Sequence, residues 1–188
     1  MIYFTSDTHF GDQKLVEHTR MEFASIEEHD SHLIGSINNK VGRNDILVIL
    51  GDFCKEKPGL YRPLIKCRHT FFILGNHDKE QKIRNVFGGN VWQQKMVKLN
   101  TGEKVWCSHY PTAFWDGSHN GTYHAYGHIH DSTSRNGMMN VGMPGRRSMD
   151  VGMDAADRLL GNWEPFSETE FLYFLERRIG HDLLKRSP

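Results

Sequence analysis

The chain has 188 residues, a length that suits one domain, and its 38% hydrophobic and 11% aromatic content supplies a real core and argues against disorder. Lysine plus arginine total 23 and so do aspartate plus glutamate, so the formal net charge is zero and a broad electrostatic footprint for duplex nucleic acid is not supported. No apolar run approaches the roughly 20 residues of a membrane span, which speaks against a membrane partner.

No basic, apolar leader precedes Ile2-Tyr3-Phe4, and the three widely spaced cysteines (Cys54, Cys67, Cys107) read as reduced thiols. A cytoplasmic protein is expected. Histidine, at 12 residues, is over-supplied for this length, and it is the commonest metal ligand and acid-base group.

Residues 2–6 read as a first strand, followed by Asp7-Thr8-His9. Residues two apart on an extended segment point the same way, so Asp7 and His9 can grip one ion. A short helix is expected from 13 to about 21. Ser25-Ile26-Glu27-Glu28 is a capping box, and it opens a helix to about residue 39 with the apolar stripe Ile26, Leu33, Ile34 and Ile37. His29 and His32 on that helix read as a solvated face. Residues 46–50 are five aliphatic residues in a row, the pattern of a central strand buried on both faces, and they end in Gly51-Asp52. A short helix over 57–66 carries Pro58 in its first turn, with Pro63 set to distort it. Residues 70–74 read as the next buried strand, ending in Gly75-Asn76-His77-Asp78. A helix follows from 78 or 79 to near Gly88-Gly89. Strands separated by helices describe β-α-β units in a largely parallel sheet. Sites in such sheets lie at the carboxyl ends of the strands, where Asp7, Asp52 and Asn76 all fall.

The pattern then changes. Residues 91–99 and 104–108 read as a hairpin about Asn100-Thr101-Gly102, and the second strand ends at His109-Tyr110-Pro111. A loop over 112–120 leads to a strand over 122–126, which ends in Gly127-His128-Ile129-His130. Residues 138–143 and 149–153 read as further strands, joined by a loop through Arg146 and Arg147. Ser167-Glu168-Thr169-Glu170 is a second capping box, and its helix turns Phe171, Leu172, Phe174 and Leu175 to the core, with a fraying tail from Gly180. No repeat or linker interrupts this order, which fits two packed sheets with helices outside.

Asp7, His9, Asp52, Asn76, His109, His128 and His130 all follow apolar runs. A nitrogen and oxygen set without cysteine selects divalent ions such as manganese, iron, zinc, cobalt or nickel, with manganese the first choice, and argues against a cysteine-based structural zinc site. Seven ligands exceed one tetrahedral ion and suit two ions that share a bridge.

The ordered set Asp7-x-His9, Gly51-Asp52, Gly75-Asn76-His77-Asp78, His109 and Gly127-His128-x-His130 resembles the calcineurin-like metallophosphoesterase superfamily. The opening Thr5-Ser6-Asp7-Thr8-His9-Phe10-Gly11 is similar to small stand-alone phosphoesterases of bacteria and phages. Past His130 only Asp150-Val151-Gly152-Met153-Asp154 and the last capped helix fit the likeness.

The resemblance implies an α/β fold, a four-layer α-β-β-α sandwich of two packed mixed sheets flanked by helices, with residues 1–188 as a single domain. It implies that Asp7, His9 and His130 hold a first metal, that Asn76, His109 and His128 hold a second, and that Asp52 bridges them. Two ions about 3.5–4 Å apart lower the pKa of a bridging water, and the resulting hydroxide attacks phosphorus in line. His77 would then protonate the leaving alcohol or stabilise its charge. Asp78 orients His77 through a hydrogen bond, or else caps the helix that follows.

Arg20 and Arg146, with Arg135 and Arg147, are candidates for the substrate phosphate, since a guanidinium suits that geometry. Tyr110 and Trp115 either stack on a base or close the core edge. His124 is in phase with His128 and is expected nearby. The partner is a small phosphorylated substrate, and a nucleotide stays open. The reading is hydrolysis of phosphate monoesters or diesters, with a nucleotide-directed phosphodiesterase (cyclic, 2′,3′-cyclic or nuclease-type) as the alternative. A non-catalytic scaffold would show gaps in the ligand set or at His77, and none is present.

Overall fold

Three apolar runs form the centre of the molecule because each has two faces to bury. The computed structural model describes residues 1–131 and 147–184. Strands β1 (Ile2–Thr5), β2 (Ile46–Ile49) and β3 (His69–Ile73) pair in parallel, with Phe4 opposite Val48 and Val48 opposite Phe71. Their alternate side chains divide between two cores. Tyr3, Leu47, Ile49 and Phe72 pack with Val16 of α1 (Gln13–His18), Leu33 and Ile37 of α2 (Ile26–Lys40), and Ile83 and Phe87 of α4 (Glu80–Phe87). Phe4, Val48 and Ile73 face the other way. There they meet a second sheet made of β5 (Gln94–Lys98), β6 (Lys104–Ser108), β7 (Tyr123–Tyr126) and β8 (Ser148–Asp150), through Val97, Val105, Ala125 and Met149.

The first sheet has the order β4-β3-β2-β1-β9, where β4 is Val91–Trp92 and β9 is Phe166–Ser167. Strand β9 is antiparallel to β1, and the rest are parallel. The second sheet has the order β5-β6-β7-β8, with only the β5–β6 pair antiparallel. Two mixed sheets flanked by helices make the expected α/β sandwich.

The Ser167 capping box forms in full and the Ser25 box in half, since Glu28 takes the Ala24 amide and not that of Ser25. Ser25 Oγ accepts from the Glu28 amide at 3.2 Å, and Ser167 Oγ accepts from the Glu170 amide at 3.2 Å while Glu170 takes the Ser167 amide at 2.8 Å. The last helix, α6 (Glu168–Leu184), buries Phe171 and Leu175 and continues past Gly180, where a frayed tail was expected. The helix expected over 57–66 splits into α3 (Pro58–Tyr61) and a 3₁₀ turn, Arg62–Leu64, because Pro63 lacks the amide to continue it.

Two expectations fail. The strand expected over 91–99 is two strands in different sheets, since β4 pairs with β3 and β5 with β6. Both halves are extended and half-apolar, so the crossing at Gln93 leaves no periodicity signal. The strand expected over 149–153 stops at Asp150, and Met153–Leu160 is helix α5. Gly161 at its end is left-handed (φ 70°), a stop signal that was readable in the sequence. The strand expected over 138–143 lies outside the described residues.

Phe4 is fully buried between the sheets, 5.1 Å from the Phe171 ring. Phe4→Ala is expected to lower unfolding stability by about 3–5 kcal/mol in denaturant titration, and a loss under about 1 kcal/mol would contradict this packing.

Candidate metal centre

The parallel strands β1, β2 and β3 end on one edge, and their loops stay paired beyond it. The Leu50 amide donates to Thr5 O (2.8 Å), Asp7 to Gly51 O (3.0 Å), His9 to Asp52 O (2.9 Å) and Phe10 to Phe53 O (3.0 Å). The second sheet closes on this edge. Ser6 bridges Gly152, and the His128 amide donates to Asp7 Oδ2 at 2.9 Å. Gly127 permits the approach, since a Cβ there would overlap Ser6 Oγ and the Asp7 carboxylate.

All seven candidate ligands converge. Asp7, His9 and His130 form one group and Asp52, His109 and His128 a second, each with ligand atoms within 4.8 Å of one another. Asn76 Oδ1 lies 3.0 Å from His109 Nε2, beside the second group. The D-x-H and H-x-H convergence has a different cause from the one expected. Neither pair is extended: Asp7 (φ 56°), His9 (47°), Asp52 (51°), His128 (73°) and His130 (48°) are all left-handed. Such backbone costs about 1–3 kcal/mol per residue and persists only where the surroundings hold it.

The donor set fits divalent metal ions. Asp7 Oδ1 and His9 Nε2 are buried without a hydrogen-bond partner among the described residues, and both face the same space as His130 Nε2. Unpaired buried groups of this kind cost about 1–3 kcal/mol each, which a shared cation offsets.

Electrostatics prepare the groups unequally. Burial, reinforced by the charge of His130, pushes His9 down to about 3, so its ring is neutral at any working pH. Burial opposes ionisation of Asp52, but His109 and the His77 amide outweigh it and hold the carboxyl at about 2. Burial also opposes a charged His109, yet its hydrogen bond with Asp52 and the charges of Asp7 and Asp52 raise it to about 9. Its Nδ1 donates to Leu50 O at 2.7 Å, which turns Nε2 towards the site.

His77 stands at the mouth. Its side chain is 46% exposed, and Nε2 lies 4.0 Å from Asp52 Oδ2. Asp78 takes neither expected role. Its Oδ2 accepts the amides of Asp52 (2.8 Å) and Gly75 (2.9 Å), and Oδ1 accepts that of Phe53 (3.2 Å); none of its hydrogen bonds among the described residues goes to the His77 ring. Lys79 occupies the N-cap position of the helix, without a side-chain cap, and Asp78 ties two loops together.

The arginines depart most from expectation. Arg20, a candidate for substrate phosphate, has no exposed surface and points into the protein. Arg147 lies over the Tyr123 ring and donates to Gly121 O, while Arg135 and Arg146 lie outside the described residues. Tyr110 does flank the site. It is 48% exposed, with its ring 5.1 Å from His109 and 4.7 Å from His128. Trp115 closes a core edge, stacking on His124 at 5.0 Å. His124 is buried near the site, with Nε2 2.8 Å from Ser108 Oγ. His29, expected on a solvated face, is fully buried against Arg20.

Asp154 falls within the family likeness but had no expected role. Its carboxylate lies 2.9 Å from His130 Nδ1, and the readable signal was an acidic residue within the buried Met153-Asp154-Ala155-Ala156 face of α5.

The fold and the two carboxylate–imidazole groups define a protein built to hold divalent metal ions. A sequence profile of the calcineurin-like phosphoesterases matches residues 1–141, which include every candidate ligand, and the chain belongs to that family. The family implies metal-dependent hydrolysis of phosphoesters. The chain is 38% identical over 82 residues to the uncharacterized protein MJ1445 of Methanocaldococcus jannaschii, covering 42% of this chain and 47% of that protein. It is 33% identical over 90 residues to the Gene 66 protein of Mycobacterium phage L5, covering 40% and 39%. The chain thus spans less than half the length of these relatives. The crystal structure of a protein of unknown function, AQ665 from Aquifex aeolicus, superposes with a TM-score of 0.70 at 18% identity over 93% of this chain and 98% of that one, a likeness of fold alone.

Because His109 is raised to about 9 in the metal-free protein, an ion at neutral pH must displace its proton. Metal affinity is therefore expected to strengthen as pH rises towards 9. Calorimetry in buffers of different ionisation enthalpy should detect the released protons, and binding without proton release would contradict the assignment.

Proposed function

We propose that the protein hydrolyses phosphate monoesters or diesters at a dinuclear metal centre, with manganese the first choice among iron, zinc, cobalt and nickel. The observation that carries this reading is the position of Asp52. Its Oδ2 lies 3.6 Å from His9 Nε2 and 3.4 Å from His109 Nε2, so one carboxylate oxygen faces both groups. In this reading Asp7, His9 and His130 hold one ion, Asn76, His109 and His128 the other, and Asp52 is shared. Ions bound there supply positive charge to the phosphoryl oxygens and acidify a bound water.

The chain's own contribution is placement and proton supply. Asp52 Oδ1 accepts the His77 amide at 2.9 Å, which fixes the start of that side chain while the ring reaches solvent. From this position His77 hands a proton to the leaving oxygen of a substrate seated over the two groups. The complete ligand set and the placement of His77 support catalysis over a scaffold role. The exposed Tyr110 ring beside His128 favours the nucleotide-directed reading among diester substrates, because it offers a flat face to a base. All three cysteines are free and buried, which supports the cytoplasmic placement. No helix among the described residues is long and apolar enough to cross a membrane.

His77→Ala is expected to keep its metal content and to slow hydrolysis of esters with poor leaving groups by about 10²–10⁴-fold, with a much smaller effect on p-nitrophenyl phosphate or its diester. A mutant near wild type on an alkyl phosphate would remove His77 from proton transfer. No turnover by the metal-loaded wild type across monoesters, diesters and cyclic nucleotides would overturn the hydrolytic reading.

A further inference from the structure

Arg20 is fully buried, and every nitrogen of its guanidinium is used. Nε and Nη2 fork onto the two oxygens of Asp154 at 3.4 and 2.8 Å. Nη2 also donates to Asp7 O at 2.6 Å, and Nη1 donates to Thr8 O at 3.3 Å. The plane stands 4.9 Å from the Trp163 ring. A buried cation with this many partners is a fixed device, since leaving any partner out would strand a charge in a dry interior.

Two further contacts give the device a direction. Asp154 Oδ2, already held by Arg20, lies 2.9 Å from His130 Nδ1. A carboxylate only accepts, so Nδ1 carries a hydrogen, and in the neutral ring Nε2 is the bare nitrogen, turned towards Asp7 Oδ1 3.9 Å away. On the far side, Arg20 Nη1 lies 2.9 Å from His29 Nε2. Arginine only donates, so His29 accepts there, and its Nδ1 donates to Asp30 Oδ1 at 2.9 Å. Asp30 in turn holds the Gly11 amide at 3.0 Å. The chain of contacts therefore grips the main chain at Asp7, Thr8 and Gly11, on both sides of His9, and ends on the ring of His130.

We propose that Arg20 and Asp154 are positioning residues for the Asp7–His9–His130 group: they fix the tautomer and aim of His130 and hold the left-handed Asp7–His9 turn, and so set that group's affinity for its ion. The inference rests on the reading that this group holds a divalent ion. The second group is built differently, since His109 is aimed by a neutral main-chain carbonyl, Leu50 O. Among the described residues, only the first is aimed by a buried arginine–carboxylate pair from outside the candidate ligands, so damage to that pair weakens one ion and spares the other. A buried ion pair that served folding alone has apolar replacements of equal stability. No apolar pair can hold the Nδ1 hydrogen of His130.

The test is Mn²⁺ titration of metal-free wild-type protein and of Asp154→Asn, each site fitted separately, with thermal melts of both proteins. One site is expected to weaken by about 10–100-fold while the other keeps its wild-type affinity. Two unchanged affinities, or equal loss at both sites with a lowered melting temperature, would overturn the proposal and leave Arg20 and Asp154 with a structural role only. Should Asp154→Asn fail to fold, long-range ¹H–¹⁵N NMR of the Zn²⁺-loaded wild type decides, with His130 assigned by His130→Gln. Hydrogen on Nδ1 and metal on Nε2 support the proposal, and the reverse overturns it. Both readouts report metal binding without turnover. An inactive but metal-loaded wild type therefore counts against the hydrolytic reading and not against this one.

Discussion

The site depends on where one carboxylate is held. Asp52 is placed by three things: left-handed backbone, the His77 amide on its Oδ1, and the Asp78 carboxylate on its own amide. With Oδ1 fastened, Oδ2 lies between His9 and His109. Gly75 belongs to the same constraint. Its φ is ordinary, but a Cβ would overlap the Asp52 carboxylate and amide, so the position must be empty for Asp52 to sit there. Around Asp52, Gly75 gives clearance and Asp78 ties two loops together, while in the proposed reading Asn76 would supply a ligand oxygen and His77 a proton at the mouth.

A second constraint joins the sheets. Asp7 follows a strand of the first sheet and His128 and His130 follow one of the second, and the ring of His130 must reach the Asp7 oxygen that, among the described residues, accepts no hydrogen bond. Hydrogen bonds carry the closure: the His128 amide on Asp7 Oδ2 and the Met153 amide on Ser6 O. Behind them stands Arg20, whose charge is enclosed by main-chain carbonyls, Asp154 and the Trp163 face. The left-handed turns, the unpartnered ligand atoms and the buried arginine place strain, desolvation and charge in one small region. A bound cation relieves the first two, so structure and ion binding are coupled.

The sequence made the two-sheet sandwich and all seven candidate ligands legible because both rest on local pattern: buried strands written as apolar runs, each followed by a polar residue, with a Gly between at 51, 75 and 127. What it hid was long-range. Nothing local in Arg20 distinguishes a surface cation from one that contacts Asp154, 134 residues away. His29 follows a helix start and reads as solvated until Arg20 is seen against it. The split of residues 91–99 between two sheets was hidden for a related reason, since extended backbone looks the same whichever neighbour it pairs with. Asp78 was read as an orienting or capping group because its partners, the amides of Asp52 and Phe53, are likewise distant in sequence.

In the proposed dinuclear reading, Asp52 would be shared by two ions. Electron paramagnetic resonance of wild-type protein loaded with two equivalents of Mn²⁺ tests it most directly. A carboxylate-bridged pair is predicted to give the broad, temperature-dependent spectrum of two exchange-coupled ions. Two independent six-line Mn²⁺ signals at full loading, or saturation at one ion per chain, would contradict it.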